Sequence, residues 1–191
     1  SFYVIFNRIG LSPQEIYQLT RQYDSLLKQF ELKPGQHYRY YIKESDSSST
    51  LKKFVWEPTK RDYLVFDFQD SMQVVHHKKP VTVRRARAAG VIESSLYETF
   101  LEQDLPVTLA YELSDLYAWE IDFFLLRSGD AFKVIYEELY VDGEMIGIGD
   151  IIAAEFRHRE ELFPAYRFYN GTEIGYYDPQ GESLQKALLK A

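Results

Sequence analysis

The side chains best suited to metal chemistry in this sequence are its four histidines, His37, His76, His77 and His158. A zinc hydrolase needs several imidazoles or carboxylates on one ion, and short spacings let one strand or helix supply two ligands. No His-x-His, His-x-x-x-Asp or His-Glu-x-x-His pattern occurs. Adjacent His76 and His77 would point to opposite faces of a strand, which is poor geometry for chelation. We therefore predict surface or sheet-edge histidines and assign neither a metal ligand nor a catalytic residue; a site assembled from distant residues is the alternative.

Carboxylates are the second group that could do chemistry, as a general acid and base. Glu137-Glu138 and Glu160-Glu161 are adjacent pairs, and neighbours on a strand point to opposite faces. Only Glu120 and Asp122 have the spacing to share a face. The sequence also lacks cysteine and the Gly-x-Ser-x-Gly pattern of serine hydrolases, which removes the common nucleophile arrangements. A hydrolase that uses scattered carboxylates or His158 is therefore the least favoured of the three functional hypotheses that the sequence supports.

Charge is distributed unevenly along the chain. The net charge is −7, which argues against general nucleic-acid binding. Residues 1–89 contain 15 Lys/Arg and 9 Asp/Glu, a balance of +6, whereas residues 90–191 contain 7 and 20, a balance of −13. A change of this size predicts two units with different surfaces, one over residues 1–89 and one over residues 90–191.

A group of basic side chains lies just before this boundary, at Lys78, Lys79, Arg84, Arg85 and Arg87. These residues could contact an anionic envelope polymer, membrane headgroups or an acidic domain. The structural alternative is a strand edge that its charges protect from aggregation. Among the functional interpretations we favour an acidic partner domain within the same protein, because the second half of the chain is so acidic.

The order of apolar and turn residues predicts an α+β fold of two small domains, each an antiparallel sheet with one or two helices. The 16 Tyr, 13 Phe and 2 Trp favour pleated sheets. Residues 2–6 read as a strand, and Ser12-Pro13-Gln14-Glu15 is a helix start with a capping box. Asp142-Gly143 and Asn170-Gly171 predict hairpin turns. A last short helix is predicted over residues 183–190.

A first resemblance to a known module is carried by residues 10–16 and by the turn Leu32-Lys33-Pro34-Gly35-Gln36. Together they resemble a degenerate LysM-type module in its OapA-like version. In that module two helices pack on a small two-stranded sheet, and the Pro-Gly-Gln turn leads into the closing strand. The resemblance implies a LysM-like, β-rich and inhibitory domain over residues 1–89, in which the turn is as easily structural as ligand-facing.

A longer resemblance covers the second half of the chain, in tracts that include Trp119-Glu120-Ile121-Asp122-Phe123-Phe124 and residues 90–97, 129–137, 154–156, 176–178 and 181–191. These tracts resemble the segment that precedes the catalytic domain in multidomain LytM/lysostaphin-type zinc endopeptidases, metallopeptidase family twenty-three. In that family the catalytic domain holds zinc through a His-x-x-x-Asp pair and a His-x-His pair, and it cleaves peptide cross-bridges of peptidoglycan. Neither pair occurs in this sequence, so no catalytic residue of the family can be assigned here.

The resemblance implies a non-catalytic region of an exported protein of the bacterial periplasm or cell envelope, whose front domains gate or orient a downstream zinc peptidase domain. Zinc is expected in that catalytic domain, and no cofactor is expected in this chain. The implied partner is the protein's own catalytic domain. The alternative hypothesis is a stand-alone module that binds peptidoglycan or another glycan. No nucleic acid is expected, and a membrane only through a signal or anchor segment outside this chain, because no apolar run reaches the ~20 residues of a membrane span.

Overall fold

The structure, a computed structural model, describes residues 1–45 and 48–184. It divides into two compact units, Ser1–Val81 and Thr82–Ala191. The boundary predicted between residues 89 and 90 falls inside a strand of the second unit, so the structural division comes earlier in the chain. The helix predicted over residues 183–190 lies mostly outside the described residues; Ser183 itself forms an isolated antiparallel bridge with Tyr177.

Unit 1 contains three short helices and a four-stranded antiparallel sheet. Its strands follow one another in chain order, β1-β2-β3-β4. Alternate residues of the two central strands, Phe54 and Trp56 on one and Leu64 and Phe66 on the other, are buried against the helices. The elements are α1 (Phe2–Arg8), α2 (Pro13–Gln22), α3 (Asp24–Leu27), β1 (His37–Ser45), β2 (Ser48–Glu57), β3 (Asp62–Asp67) and β4 (Gln73–Lys78).

Unit 2 contains two helices, a short 3-10 helix (Phe123–Leu125) and a five-stranded antiparallel sheet in the order β5-β6-β7-β8-β9. Alternation along one central strand buries Phe132 and Val134, which pack in one core with Phe100 and Leu113 of the helices. The two antiparallel sheets with few helices confirm the predicted α+β fold. The elements are β5 (Thr82–Val91), α4 (Leu96–Glu102), α5 (Val107–Leu116), β6 (Ala131–Val141), β7 (Glu144–His158), β8 (Glu161–Tyr169) and β9 (Ile174–Tyr177).

The prediction of a strand over residues 2–6 is wrong, because these residues form most of helix α1. The buried and half-buried positions Phe2, Phe6 and Ile9 recur every three or four residues, which is the period of a helix. The ring of Phe6 meets that of Phe54 edge-on at 5.0 Å, and Phe2 meets Trp56 in the same way at 4.8 Å. The aromatic run therefore forms a helix that packs on one face of the sheet, and it does not add a strand to the sheet.

Local sequence signals were correct at one helix start and one hairpin. Ser12 accepts a hydrogen bond from the backbone N–H of Glu15, whose carboxylate accepts one from the backbone N–H of Ser12, which is the predicted capping box. Asp142 and Gly143 both have positive φ and close the hairpin between β6 and β7. The helices are short, at most ten residues among those described, and none of them is long and apolar enough to span a membrane.

The sheet of unit 1 differs from that of the module it resembles. LysM-type modules have a two-stranded sheet, whereas unit 1 has four strands. The LysM-like character of residues 1–89 therefore stays a prediction.

Candidate functional site

The predicted basic contact residues are divided between the two units. Lys78 ends β4 and Lys79 follows it, in unit 1, whereas the three arginines lie on β5 in unit 2. The Lys79 ammonium group forms an ion pair with the Glu57 carboxylate at 3.2 Å. Burial by itself would raise the pKa of the Glu57 carboxyl, but the hydrogen bonds from Lys79 and Arg39 outweigh it and hold this pKa below its ordinary value. Lys79 therefore has a structural role at the end of the first sheet.

The arginines of β5 lie opposite acidic residues of β6. Arg84 is in register with Glu138, and Arg85 with Glu137. The guanidinium group of Arg84 also lies 4.3 Å from the ring centre of Tyr140, a cation–π contact. Arg85 and Arg87 are two residues apart and share the opposite face of the strand, where both are exposed.

Assigning β5 to unit 2 reduces the charge contrast predicted between the halves. Unit 1 has 12 Lys/Arg and 9 Asp/Glu, a balance of +3, and unit 2 has 10 and 20, a balance of −10. Arg84 and Arg85 thus lie opposite acidic residues of the same unit. Whether these basic residues also contact another domain or a polymer stays a prediction.

The turn Leu32-Lys33-Pro34-Gly35-Gln36 is held by the side-chain amide of Gln36. Its oxygen accepts from the backbone N–H of Lys33 at 2.9 Å and from the indole Nε1 of Trp56 at 3.1 Å. Its nitrogen donates to the backbone carbonyls of Glu31, at 2.9 Å, and Pro58, at 3.0 Å. All four hydrogen-bonding positions of the amide are used inside the protein. Gln36 therefore has a structural role.

A buried carboxylate that sequence reasoning missed organises one end of unit 2. Asp130 is only 6% exposed and accepts three hydrogen bonds. They come from the backbone N–H of Arg127 at 2.8 Å, the backbone N–H of Arg159 at 3.1 Å and Nδ1 of His158 at 2.7 Å. Burial would raise the pKa of the Asp130 carboxyl, but these three donors together hold the pKa below its ordinary value.

The other histidines near a carboxylate also have structural partners. Nε2 of His76 lies 2.7 Å from Asp62, and the His76 ring meets that of Phe30 edge-on. The ring of His77 stacks on Tyr63 on the opposite face of β4. His76 and His158 each lie beside one carboxylate, and His77 stacks on a tyrosine. A catalytic zinc takes three protein ligands. Within residues 1–45 and 48–184 no three histidine, aspartate or glutamate side chains lie together as a metal site, so these residues do not fit a zinc centre.

The carboxylate pairs considered for acid–base chemistry are also separated or engaged. Glu138 accepts hydrogen bonds from the hydroxyl groups of Tyr136 and Tyr140, while Glu137 points to the other face of β6. Burial and the hydrogen bond to Glu138 raise the pKa of the Tyr136 hydroxyl group to about 12. Asp122 accepts from the backbone N–H of Phe124 and begins the 3-10 helix. These carboxylates stabilise the fold locally.

Comparison with known proteins finds sequence similarity to parts of larger bacterial peptidases. Over 190 residues, 98% of its length, it is 29% identical to the peptidoglycan DD-endopeptidase ShyC of Vibrio cholerae. It is 25% identical over 159 residues to an uncharacterized metalloprotease of Haemophilus influenzae, and 24% identical over 156 residues to the DD-carboxypeptidase/endopeptidase Mpg of Neisseria gonorrhoeae. The chain spans only 43%, 33% and 35% of these three proteins. No protein-family profile matches it.

Solved structures share the fold. A zinc-containing peptidase from Vibrio cholerae superimposes with a TM-score of 0.68 over 95% of this chain and 55% of that protein, at 18% sequence identity. Csd3 of Helicobacter pylori superimposes with a TM-score of 0.53 over 73% of this chain and 38% of that protein, at 17% identity. At this level of identity the likeness concerns the fold.

Proposed function

We propose that this chain is a non-catalytic region of a peptidoglycan metalloendopeptidase of the bacterial cell envelope, and that it gates or orients a zinc peptidase domain. The observation that carries the proposal is the match to ShyC, which covers 98% of this chain but 43% of ShyC. A match that covers nearly all of this chain but less than half of the relative is expected when the chain corresponds to one region of a larger peptidase. In this proposal, the zinc site lies in the part of such a protein that this chain does not match.

The titratable groups of the described residues support this division of roles. The histidine–carboxylate contacts, His158 with Asp130 and His76 with Asp62, are pairs and not larger sets. The Asp130 carboxylate already accepts three hydrogen bonds from the protein, so a metal ion or a substrate would have to displace a structural donor. Zinc chemistry is therefore assigned in this proposal to the peptidase domain.

A digestion assay tests the proposal. The purified 191-residue chain is incubated with peptidoglycan sacculi and zinc, and soluble muropeptides are separated by chromatography. We expect no release above the buffer control, with intact ShyC as the positive control. Release of peptides by the chain alone would contradict the assignment of a non-catalytic role.

A second candidate function, binding of peptidoglycan glycan by unit 1, is favoured by the tyrosines of β1. Tyr40 and Tyr41 are each about half exposed. As neighbours on β1 they point to opposite faces of an edge strand, which among the described residues pairs with β2. Tyr38, also exposed, stacks on Phe54 at 5.4 Å, which fixes its ring. Exposed aromatic rings with polar tips suit the apolar faces and hydroxyl groups of sugars.

Sedimentation with insoluble peptidoglycan separates this second function from the first. If unit 1 binds glycan, the chain co-sediments in a saturable way and Tyr40→Ala with Tyr41→Ala reduces the bound fraction severalfold. Tyr111→Ala, on the exposed side of α5, is the matched control. Equal retention of the wild type, the double variant and the control would exclude a role for these tyrosines.

A further inference from the structure

The hairpin turn between β7 and β8 has an unfavourable sequence for its conformation. Arg159 and Glu160 both have positive φ, 51° and 70°, and they are the two residues between the paired His158 and Glu161. Positive φ at both central positions is favoured by Asn-Gly or Asp-Gly, and it is strained for residues with long side chains. The same sheet uses Asp142-Gly143 for its other two-residue hairpin. The Arg159-Glu160 turn therefore retains two charged side chains against local conformational preference.

The Asp130 carboxylate fixes this turn and a second loop. One of its oxygens accepts from the backbone N–H of Arg159, and the other accepts from the backbone N–H of Arg127, which lies in the loop before β6. Because backbone groups make these bonds, the side chains of both arginines are left to point outward. Both are exposed. The buried carboxylate thus holds the backbone of two arginines close together.

These side chains line one cleft, the Asp130 cleft, of about 1210 Å³ at the end of the second sheet. Its charged lining includes Arg127 and Arg159 as cations and Glu93 and Glu160 as anions. None of these four side chains forms a hydrogen bond or ion pair with a residue of the described ranges. By contrast, Lys133 and Glu155 of the same cleft pair with each other at 3.0 Å. The cleft therefore offers the guanidinium groups of Arg127 and Arg159 and two carboxylate groups to a ligand, while a third arginine of the lining, Arg157, donates to the Gly129 carbonyl.

We propose that the Asp130 cleft binds a short peptide that carries both a free carboxylate and a free amino group. The guanidinium groups of Arg127 and Arg159 would hold the carboxylate through charge-assisted hydrogen bonds, and Glu93 and Glu160 would hold the ammonium group. A ligand of a single charge would leave one of the two sets unpaired. The identification of this peptide as the uncross-linked stem peptide of peptidoglycan, which carries both groups, rests on the proposed function.

The decisive variant exchanges the strained turn for a favourable one, Arg159→Asn with Glu160→Gly. It removes two of the four ligand-binding side chains and keeps the backbone N–H that Asp130 needs. We expect the midpoint of thermal unfolding to rise and the affinity for the peptide to fall roughly tenfold or more, since each hydrogen bond to a charged group contributes on that scale. A gain in stability with a loss of binding cannot come from unfolding. Arg167→Gln, which breaks the pair with Asp150 elsewhere in the sheet, is the matched control.

Isothermal titration calorimetry of the 191-residue chain uses two probes, a purified disaccharide tripeptide from peptidoglycan and the unrelated zwitterionic tripeptide Ala-Glu-Lys. Binding of the muropeptide that the turn exchange weakens roughly tenfold or more, and that Arg167→Gln does not change, supports the site and its ligand. If only Ala-Glu-Lys binds, and the turn exchange weakens its binding, the cleft is a peptide-binding site. That result would contradict the proposed function, because the muropeptide does not bind. No binding of either probe, or binding that the turn exchange leaves unchanged, would overturn the proposal, whatever the digestion assay gives.

Discussion

At the scale of single residues, the side-chain amide of Gln36 connects parts of unit 1 that are distant in sequence. It joins the Lys33 backbone to the Pro58 carbonyl and to the indole of Trp56, which is 1% exposed. A buried N–H that loses its acceptor costs free energy, because it cannot turn to water instead. The sequence left open whether the turn of Gln36 is structural or ligand-facing, and the hydrogen-bond partners of its side chain all lie within the protein.

Replacing this amide should destabilise unit 1 specifically. We expect Gln36→Leu to lower the free energy of unfolding of unit 1 by about 2 kcal/mol, because the Trp56 indole and several backbone groups lose their hydrogen-bond partners. Urea unfolding followed by Trp56 fluorescence, in a Trp119→Phe background, measures the effect. Gln14→Leu, the same change at an exposed position of α2, should leave stability within about 0.5 kcal/mol. Equal midpoints for the two variants would contradict the structural role of Gln36.

Asp130 should make unit 2 sensitive to acid. A carboxyl whose pKa is lower in the folded state than in the unfolded state stabilises the fold fully above the unfolded value. The unfolded pKa of aspartate is about 3.9. This contribution is lost as the pH falls below that value through the folded pKa. Thermal unfolding of the wild type should therefore shift downward steeply below about pH 4.

The variant Asp130→Asn removes this titration. We expect it to be less stable at pH 7 by about 2 kcal/mol, because an amide nitrogen cannot accept from the N–H donors that the carboxylate serves. Its stability should also depend less on pH between 5 and 3 than that of the wild type, in circular dichroism melts. Asp115→Asn, at an exposed helical position, serves as control. An unchanged acid profile in Asp130→Asn would assign the acid sensitivity to other carboxylates.

Sequence reasoning could not predict this cluster, because its members are far apart along the chain. Asp130 lies just before β6 and His158 ends β7, and nothing in the spacing of 28 residues indicates their contact. The only local signal was the pair Arg159-Glu160, which looks like an ordinary polar turn until its φ angles are known. Contacts of this kind depend on the sheet register, which the sequence specifies only through the whole fold.

At the scale of elements, features that depend on neighbouring residues were predictable. The capping box at Ser12 and the Asp142-Gly143 turn follow from hydrogen bonds and φ preferences within four residues. Helix α1 was mistaken for a strand because an aromatic, β-branched run has strand propensity, whereas packing on the sheet decides its conformation. Strand β4 was not predicted, since its sequence Gln-Val-Val-His-His-Lys lacks clear alternation.

The capping box of α2 should contribute measurably to unit 1. Ser12→Ala removes the side-chain acceptor for the Glu15 backbone N–H, so we expect a loss of about 1 kcal/mol. Ser25→Ala, inside the short helix α3, has no such hydrogen bond among the described contacts and should have a smaller effect. Guanidinium unfolding compares the two variants. A larger loss for Ser25→Ala would mean that α2 is held by its packing alone.

At the scale of the whole molecule, the two units have separate cores and opposite net charges, +3 and −10. Exposed ion pairs contribute only about 0–1 kcal/mol each and weaken with salt. A regulatory contact built from many such pairs would be reversible by modest changes of conditions. This is the property that the proposed gating function needs, and it makes ionic strength a useful variable.

Within this picture the exposed arginines on one face of β5 are candidates for the contact with a peptidase domain. Arg85 and Arg87 share that face. We expect Arg85→Glu with Arg87→Glu to weaken inhibition of a peptidase severalfold, because the change reverses two charges. Arg21→Glu, on α2, with Lys28→Glu, directly after α3, is a charge-matched control. The readout is the concentration of chain that gives half-inhibition, and equal values for the two variants would remove these arginines from the proposed contact.

The most direct test of the regulatory proposal is therefore inhibition in trans. ShyC lacking the part that this chain matches is incubated with peptidoglycan and zinc, and the rate of muropeptide release is measured as purified chain is added at low and high salt. We expect the chain to lower the rate in a saturable way at low salt, and we expect high salt to relieve this inhibition. A rate that stays constant at all chain concentrations and both salt concentrations would contradict the regulatory proposal.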